Sequence, residues 1–399
     1  MTNIRASGKL APMDKLNPKF IDKIQDVPRE EWNNLLDCDY PFLRHEFLSA
    51  FEESGSVSAE NGWIPNHLTL RAATGDLIAA MPAYIKSHSY GEYVFDWSWA
   101  NSYYQNGLDY YPKLLTAIPF TPCAGPRLLL APNVDPATTV ARAVQSIIGQ
   151  CEKMGLSSWH LLFPEENLVE SLEDIDTQGN HQPLLRRIDT QFHWYNRGYE
   201  TFGDYLGAMT SRKRKSIRRE REKVAAQEIT FLHMTGEKIT PDYLRDFYIF
   251  YHATYLKRGR QGYLNQIFFE LLVETMPDNV LLVMAQHEQK NIAASLFLTG
   301  GDTIYGRYWG CLEEYDQLHF ETCYYQGIDY CIENGLAHFD AGAQGEHKIA
   351  RGFEPIQTCS YHWIQHPGFY DAVARYLHHE ERDVLGYMRD AASYLPFKN

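Results

Sequence analysis

One segment late in the 399-residue chain combines proton acceptors with cations at close spacing. Asp340, Glu346 and His347 are side chains that can take a proton from a reacting group. Lys348 and Arg351 are cations, and either of them can stabilise negative charge that develops on an oxygen. Three glycines in the same segment let the backbone approach a ligand closely. The segment is the first candidate for a catalytic loop; the alternative is that Glu346 and Lys348 are solvated loop charges.

Polar side chains also occur in an apolar, strand-like run that ends near residue 311, where burial without partners is costly. Arg307 lies within that run, and His319 and Glu321 begin the helix that follows. Two interpretations stay open: Arg307 pairs with Glu321 to orient the helix, or these side chains contact a substrate. Trp309, two residues after Arg307, joins the same set of candidate substrate-binding residues.

A dense aromatic tract in the first half of the chain includes Trp97, Trp99 and Tyr103. Such a tract can line a cleft for a sugar or a peptide, or it can pack between two domains. If it lines a cleft, the alternative function for the chain is a non-catalytic module that binds a glycan or a peptide.

A basic segment, Ser211–Lys223, carries eight cations and two anions, a net charge of +6 in a chain whose total is −14. Its guanidinium groups match phosphate oxygens, so Arg214, Arg218 and Arg219 are candidate phosphate contacts. A solvated helix face with internal ion pairs is the other interpretation, and an RNA-binding role is a third.

Composition excludes several classes of protein. The net charge of −14 argues against a basic coat for nucleic acid, so we expect no DNA partner. No apolar run reaches the roughly 18 residues of a membrane span. Seven cysteines without a C-x-x-C pair predict neither a disulfide framework nor a zinc site, and they favour a cytoplasmic protein. Neither G-x-S-x-G nor G-x-x-x-x-G-K-[ST] occurs.

Apolar periodicity divides the chain into two similar α/β halves, each with helices, a strand meander, and a helix that ends at a Gly-Leu pair before another strand. We predict a flexible N-terminal tail (1–18), a first domain (19–199), a basic linking helix (200–227), a second domain (228–375) and a C-terminal helix and tail (376–399). The predicted helices are Arg29–Leu36, Leu43–Ser54, Pro136–Met154, Thr201–Gln227, Pro241–Arg258, Asn265–Met276 and Phe320–Asn334. The predicted strands are His67–Ala73, Leu77–Lys86, Glu92–Trp97, Ser158–Phe163, Glu228–Thr235, Asn279–His287, Ile292–Thr299, Thr303–Cys311, Leu336–Ala341 and Gln357–Ile364.

This order of elements, together with several long segments, resembles the Fem-like predicted N-acyltransferases, the peptidoglycan biosynthesis/recognition group of the GNAT (acyl-CoA N-acyltransferase) superfamily. The segments are His88–Trp97, Tyr111–Leu114, Pro119–Pro122, Gly125–Leu128, Ser211–Arg221, Gly306–Cys311, Leu318–Glu321 and Gly342–Phe353. The resemblance implies an α/β (α+β) tandem GNAT fold, in which each domain has a mixed, mostly antiparallel sheet flanked by helices. It also implies an N-acyltransferase with its catalytic loop where the central strands separate.

One departure from the GNAT pattern bears on the donor. The glycine-rich turn that binds coenzyme A pyrophosphate in ordinary GNAT enzymes is replaced by Leu312–His319, which has no glycine and three acids. We therefore keep two donors, acyl-CoA and aminoacyl-tRNA, and expect no tightly bound cofactor or metal. The implied acceptor is an amine of a small molecule, phosphorylated or not, such as a cell-wall precursor, and the amine attacks directly without a covalent enzyme intermediate.

Overall fold

The structure, a computed structural model, describes residues 16–177, 182–257, 259–343 and 345–398, without the side chains of 175–177. The strands are β1 Asn17–Ile21, β2 Trp63–Pro65, β3 His67–Arg71, β4 Leu77–Met81, β5 Tyr84–Lys86, β6 Lys113–Thr116, β7 Leu129–Leu130, β8 Ser158–Leu162, β9 Leu185–Tyr195, β10 Thr230–Thr235, β11 Val280–His287, β12 Lys290–Gly300, β13 Thr303–Cys311, β14 His338–Asp340 and β15 Glu354–Ile364. The helices are α1 Arg29–Asn33, α2 His45–Glu53, α3 Trp97–Gln105, α4 Pro136–Met154, α5 Glu166–Thr177, α6 Phe202–Ala208, α7 Ser211–Ala225, α8 Pro241–Leu256, α9 Gln266–Thr275, α10 Leu318–Phe320, α11 Gln326–Glu333 and α12 Pro367–Ser393.

One large sheet runs through both halves of the molecule. Its eleven strands lie in the order β10-β11-β12-β13-β14-β9-β15-β8-β6-β5-β2, and a smaller sheet has the order β1-β3-β4-β7. Only the β13–β14 and β6–β8 pairs are parallel, and the other pairs are antiparallel. The meander β11–β13 comes from apolar runs such as Val280–Ala285, in which every residue is buried.

The halves exchange strands at the centre of this sheet. β9 belongs to the first half in sequence but pairs with β14 of the second, and β15 of the second half pairs with β8 of the first. β9 and β15 also pair with each other over nine residues, from Glu354 opposite His193 to His362 opposite Leu185. α12 covers both exchanged strands. The two halves are therefore held together by main-chain hydrogen bonds as well as by side-chain packing.

Helix ends follow the expected local chemistry. α4 begins with a proline, and the side chain of Asp135 accepts the Thr138 N–H at 2.9 Å as an N-cap. It ends at Gly155, whose left-handed conformation (φ 66°) tolerates no side chain well. Gly335 follows α11 in the same conformation (φ 64°). The predicted Gly-Leu turns are therefore present in both halves.

The strand predicted at Glu92–Trp97 is wrong. The segment is an irregular turn, Tyr93 has a positive φ of 64°, and α3 starts at Trp97. The cause is a buried cation: Lys113 lies within 2.7 Å of Glu92 and 2.5 Å of Asp96. Both carboxylates are buried against this one ammonium group, and reaching it turns the segment away from an extended strand.

The single linking helix predicted over Thr201–Gln227 is also wrong, because it is two helices. Met209 adopts an extended conformation between α6 and α7 and forms a β-bridge with Phe397. The predicted apolar stripe of Leu206, Ile217 and Val224 is nevertheless buried, with each residue at most 4% exposed.

The chain ends also differ from the sequence expectation. Of the predicted N-terminal tail, residues 1–15 lie outside the described part of the chain, and Asn17 and Pro18 already belong to β1. The C-terminal helix α12 begins at Pro367, nine residues before the predicted boundary. Among the described residues, no helix is long and apolar enough to cross a bilayer.

Close packing of α8 against β13 gives a test of the fold. A Cβ added to Gly310 would lie 2.0 Å from the backbone carbonyl carbon of Phe250, whereas one added to Gly149 in α4 would have no neighbour within 4 Å. We expect Gly310→Ala to lower the free energy of unfolding by about 1–3 kcal/mol. Gly149→Ala should raise it by up to about 1 kcal/mol through helix propensity. Urea unfolding of both variants checks this, and equal effects would contradict the packing.

Candidate functional site

Two strands of the second half separate part-way along their length and open a cavity. β13 and β14 pair for only three residues, up to Tyr305 and Asp340. Just beyond, a bulge leaves Arg307 out of the register between β12 and β13, and such bulges re-aim side chains. The gap is a cavity of about 140 Å³, which we call the splay cavity. It is lined by Ser295, Leu296, Phe297, Gly306, Arg307, Tyr308, Trp309, His319, Cys323, Tyr324 and Ala341.

Arg307 and Asp340 form an ion pair at the point of separation. Arg307 Nη2 lies 2.9 Å from Asp340 Oδ2, and each side chain is 2% exposed. The other oxygen of Asp340 accepts the Gly342 N–H at 2.7 Å. Burial raises the pKa of Asp340, but the Arg307 guanidinium, His193 and the Gly342 N–H together outweigh burial, and the pKa lies below its usual value. Asp340 is therefore an ionised group that positions the following loop, and a weak proton acceptor.

The predicted pairing of Arg307 with Glu321 is wrong. Glu321 Oε1 instead accepts hydrogen bonds from Arg221 Nη2 at 2.9 Å and from Gln326 Nε2 at 2.8 Å. Glu321 begins a π-helical turn, Glu321–Tyr325, between α10 and α11. Such turns are frequent at functional sites, and this one places Cys323 and Tyr324 in the wall of the splay cavity.

Lys348 anchors the loop that leaves β14. Its side chain is buried, and Nζ donates to the carbonyl oxygens of Ala341 at 3.0 Å and Gly342 at 2.7 Å. Burial lowers the pKa of Lys348 to about 8, although the Asp340 carboxylate acts in the opposite direction. An ammonium group has three donors, and these two carbonyls accept from two of them.

Arg351 connects the same loop to the basic helix α7. Its Nη2 donates to Glu220 Oε2 at 2.7 Å, and Nη1 donates to the His347 carbonyl at 2.8 Å. The guanidinium lies 3.6 Å from the ring centroid of Phe320, a cation–π contact. Arg351 is thus committed to holding loop, helix and π-helical turn together, although its buried Nε has no partner among the described residues.

Glu346 and His347 are neighbours in sequence, yet each contacts a residue of a different cavity. His347 Nε2 lies 2.8 Å from the Tyr324 hydroxyl of the splay cavity. The Tyr387 hydroxyl donates to Glu346 Oε1 at 3.1 Å, and Tyr387 lines a second cavity of about 330 Å³, which we call the β9 cavity. That cavity is lined by Tyr93, Phe95, Phe163, Asp189, Thr190, Gln191, Phe192, Ala343, Gly345, Thr358 and Tyr387.

The loop between Ala341 and Gly345 therefore borders both cavities. Ala341 lines the splay cavity, whereas Ala343 and Gly345 line the β9 cavity. The pKa of His347 is lowered by burial and then by the nearby cations of Arg351 and Lys348, so its imidazole is neutral at pH 7 and can accept a proton. Of the five predicted catalytic residues, Asp340 ends the strand before this loop, and Glu346, His347, Lys348 and Arg351 lie in the 3-10 helix that follows it.

In the basic segment Ser211–Lys223, some cations form ion pairs and others do not. Arg221 contacts Glu321 and Asp329, and Lys223 contacts Asp316. Within the described residues, Arg214, Arg218 and Arg219 form no ion pair, and the latter two are exposed. The predicted phosphate contacts are thus unpartnered cations on α7, and the same helix holds Arg351 through Glu220.

The three aromatic candidates do not act together. Trp97 lines an aromatic cavity of about 620 Å³ with Tyr90, Phe95 and Tyr263. Trp99 and Tyr103 are 4% and 3% exposed, and they pack under α12, with the Tyr103 ring 3.8 Å from that of Phe369. The cleft interpretation is therefore wrong for Trp99 and Tyr103, for which packing is the correct one.

Several residues of the site were missed by sequence reasoning because β9 was not predicted. Gln191 lines the β9 cavity, and His193 Nε2 lies 3.7 Å from Asp340 Oδ1. The signal was present, since Ile188, Phe192 and Trp194 are buried at even spacing. Cys323 and Tyr324 were missed because a helical pattern does not reveal a π-helical turn.

In the described part of the chain, no three His, Cys, Asp or Glu side chains are arranged to hold a metal ion. Burial raises the pKa of Cys323, the cysteine of the splay cavity, to about 12. A thiol with that pKa is a poor nucleophile, so the residues present fit direct transfer better than a thioester on the protein.

The sequence matches the model of the FemAB-like family, described as peptidoglycan biosynthesis/recognition, over residues 23–399. A search of curated proteins gives no significant match. Among solved structures, FemX is similar with a TM-score of 0.50 and 10% identity, covering 87% of this chain and 98% of FemX. The C-terminal domain of a putative lysylphosphatidylglycerol synthetase from Agrobacterium fabrum is similar with a TM-score of 0.50 and 9% identity, covering 87% of this chain and 96% of that domain. A tandem GNAT protein from the clavulanic acid biosynthesis pathway has a TM-score of 0.46 and 10% identity, covering 88% of this chain and 99% of that protein. Strand order and the likeness to FemX confirm the predicted tandem GNAT-like α/β fold.

The Arg307–Asp340 pair gives a prediction for stability. Asp340→Asn would leave the Arg307 guanidinium buried without a counter-charge, and we expect a loss of about 3–5 kcal/mol. The control is Asp242→Asn, which breaks an exposed pair with Arg245 and should cost about 0–1 kcal/mol. Urea unfolding measures both, and a similar small loss in the two variants would show that the buried pair does not hold the strands.

Lys348 gives a prediction for pH dependence. Its pKa is about 8 in the folded protein and near 10.5 when unfolded, so between these values the unfolded chain binds more protons. The free energy of unfolding should therefore rise with pH between about 8 and 10 by more in the wild type than in Lys348→Met. Chemical unfolding at several pH values tests this, and parallel pH profiles of the two proteins would contradict the assigned burial.

Proposed function

The chain belongs to the FemAB-like family of peptidoglycan biosynthesis/recognition, and on that premise we propose that it is an N-acyltransferase. It moves an acyl or aminoacyl group from an activated donor, acyl-CoA or aminoacyl-tRNA, to an amine of a small acceptor such as a cell-wall precursor. The observation that carries the proposal is the loop after β14, which borders two cavities and holds a proton acceptor towards each.

In this proposal the donor carbonyl occupies the splay cavity and the acceptor amine reaches it past the loop. The ammonium group first gives a proton to Glu346 or His347, and the neutral amine nitrogen then attacks the carbonyl carbon. The bond from that carbon to the leaving thiol sulfur or ribose oxygen breaks, and this leaving atom takes the second proton that the nitrogen loses. We assign the oxyanion donor to Lys348 in preference to Arg351, because the Lys348 ammonium group has a third donor beyond the two loop carbonyls, whereas Arg351 is committed to Glu220 and His347.

α7 supports a donor that carries phosphates. Its free cations lie on the helix that also holds Arg351, so a phosphate bound there contacts an element tied to the catalytic loop. The aromatic cavity supports the second candidate, a non-catalytic glycan- or peptide-binding module, because Tyr90, Phe95 and Trp97 are each 41–49% exposed within it.

A turnover assay tests the proposal. The protein is incubated with labelled aminoacyl-tRNA or with acyl-CoAs and a panel of amines, and products are identified by mass spectrometry. We expect an amide product, and we expect Lys348→Met to lower kcat by about 100-fold or more if Lys348 donates to the oxyanion. Lys290→Met, which replaces the exposed first residue of β12, is the matched control and should keep full activity.

The same assay separates the donors. Replacing Arg214, Arg218 and Arg219 by Gln should raise KM for a polyphosphate donor and flatten its salt dependence, whereas Arg245→Gln should change neither. Absence of product with every donor, together with tight binding of a glycan or peptide in the aromatic cavity, would replace the transferase by the binding module.

A further inference from the structure

The β9 cavity has an unusual set of polar groups. Every polar side chain that lines it carries oxygen, namely Tyr93, Asp189, Thr190, Gln191, Thr358 and Tyr387, and none of the described lining residues is a lysine or an arginine. The remaining wall is aromatic or small. A cavity with oxygen acceptors and no cation repels an anion and suits a ligand that donates hydrogen bonds.

Gln191 points to such a ligand most directly. The residue is 2% exposed, and its Nε2 donates to the Pro122 carbonyl at 2.9 Å, which fixes the orientation of the amide. Oε1 is then the free end, and it has no partner among the described residues. The hydroxyl oxygen of the neighbouring Thr190 is also buried and unpartnered. An unsatisfied buried acceptor costs about 1–3 kcal/mol, so the free Oε1 of Gln191, a residue of the cavity wall, indicates a missing donor.

Two carboxylates and two aromatic rings add a preference for positive charge. Asp189 lies on the same strand, and Glu346 is held at the cavity by the hydroxyl of Tyr387. The rings of Tyr93 and Phe95 form part of the wall, where a cation is attracted to an aromatic face. A hydroxyl group would satisfy one acceptor, whereas an ammonium group offers three donors and a charge.

We propose that the β9 cavity is the binding site for a primary ammonium group of the acceptor, with Gln191 Oε1 and the Asp189 carboxylate, which lie on one face of β9, as its recognising oxygens. The inference rests on the proposed function for the identity of the ligand as acceptor. It assigns a cationic amine as the substrate class and places that amine across the loop from the splay cavity.

Binding to the full-length protein without any donor tests the site. The probe is n-butylammonium chloride, followed by saturation-transfer NMR, with n-butanol as the uncharged isostere. We expect n-butylammonium to bind, n-butanol not to compete, and Gln191→Leu to weaken binding about tenfold or more, as the loss of a charged hydrogen bond predicts. Gln145→Leu, on the exposed side of α4, is the control.

A second variant, Asp189→Asn, tests the site with a substitution that should not disturb folding. It removes the charge but keeps an oxygen for the Thr190 N–H, which Asp189 Oδ1 accepts at 2.7 Å. We expect Asp189→Asn also to weaken the binding of n-butylammonium about tenfold and to leave the midpoint of urea unfolding unchanged. Equal binding of n-butanol, or wild-type affinity in both variants, overturns the proposal.

Failure of the two proposals can be told apart. If n-butylammonium binds as described but no donor gives an amide product, the proposed ammonium site is supported and the proposed transferase activity is wrong. If turnover occurs and neither Gln191→Leu nor Asp189→Asn raises KM for the amine, the transferase activity is supported and the ammonium site in the β9 cavity is wrong.

Discussion

The buried ion pair of Arg307 with Asp340 is the interaction on which the site depends. The pair lies where β13 and β14 stop pairing. It joins the bulge in β13 that contains Arg307 to the turn that begins at Asp340. Asp340 also accepts the Gly342 N–H, and Lys348 holds the next carbonyls from the opposite side. A loop that would otherwise be free is thus fixed at both ends, with a cavity on each side. The cost of burying these charges is offset only because each one has a partner.

Strand exchange explains why the site lies at the centre of the molecule and not at an edge of one half. Each exchanged strand meets its host strand at a histidine pair. Buried His193 lies 2.8 Å from half-buried His338 in one half, and His160 lies 2.5 Å from His362, both buried, in the other. Burial lowers the pKa of His193 to about 4 and that of His160 to about 3, so both pairs are neutral and structural. β9 brings Gln191 from the first half to the loop of the second, and the site is complete only when both halves are present.

The sequence was informative where local periodicity and local chemistry decide the structure. α4 and β13 follow the predicted bounds, because a capped amphipathic helix and an apolar run between turns need no distant partner. It failed where a contact distant in sequence decides: Lys113 turns Glu92–Trp97 away from a strand, and the Met209–Phe397 bridge divides the basic helix. The catalytic segment was recognisable from its residue types. Its partners Gln191 and Glu220 were not, since contacts across more than 100 residues leave no local pattern. Tyr324 was not because a helical pattern does not reveal a π-helical turn.

Hydrogen exchange measured by mass spectrometry tests the central claim, that one loop joins two ligand cavities. The account predicts that a donor protects the π-helical turn around Tyr324, that an amine protects β9 around Gln191, and that each protects the amides between Ala341 and Arg351. Protection of that loop by neither ligand, or protection confined to the aromatic cavity around Trp97, would contradict it.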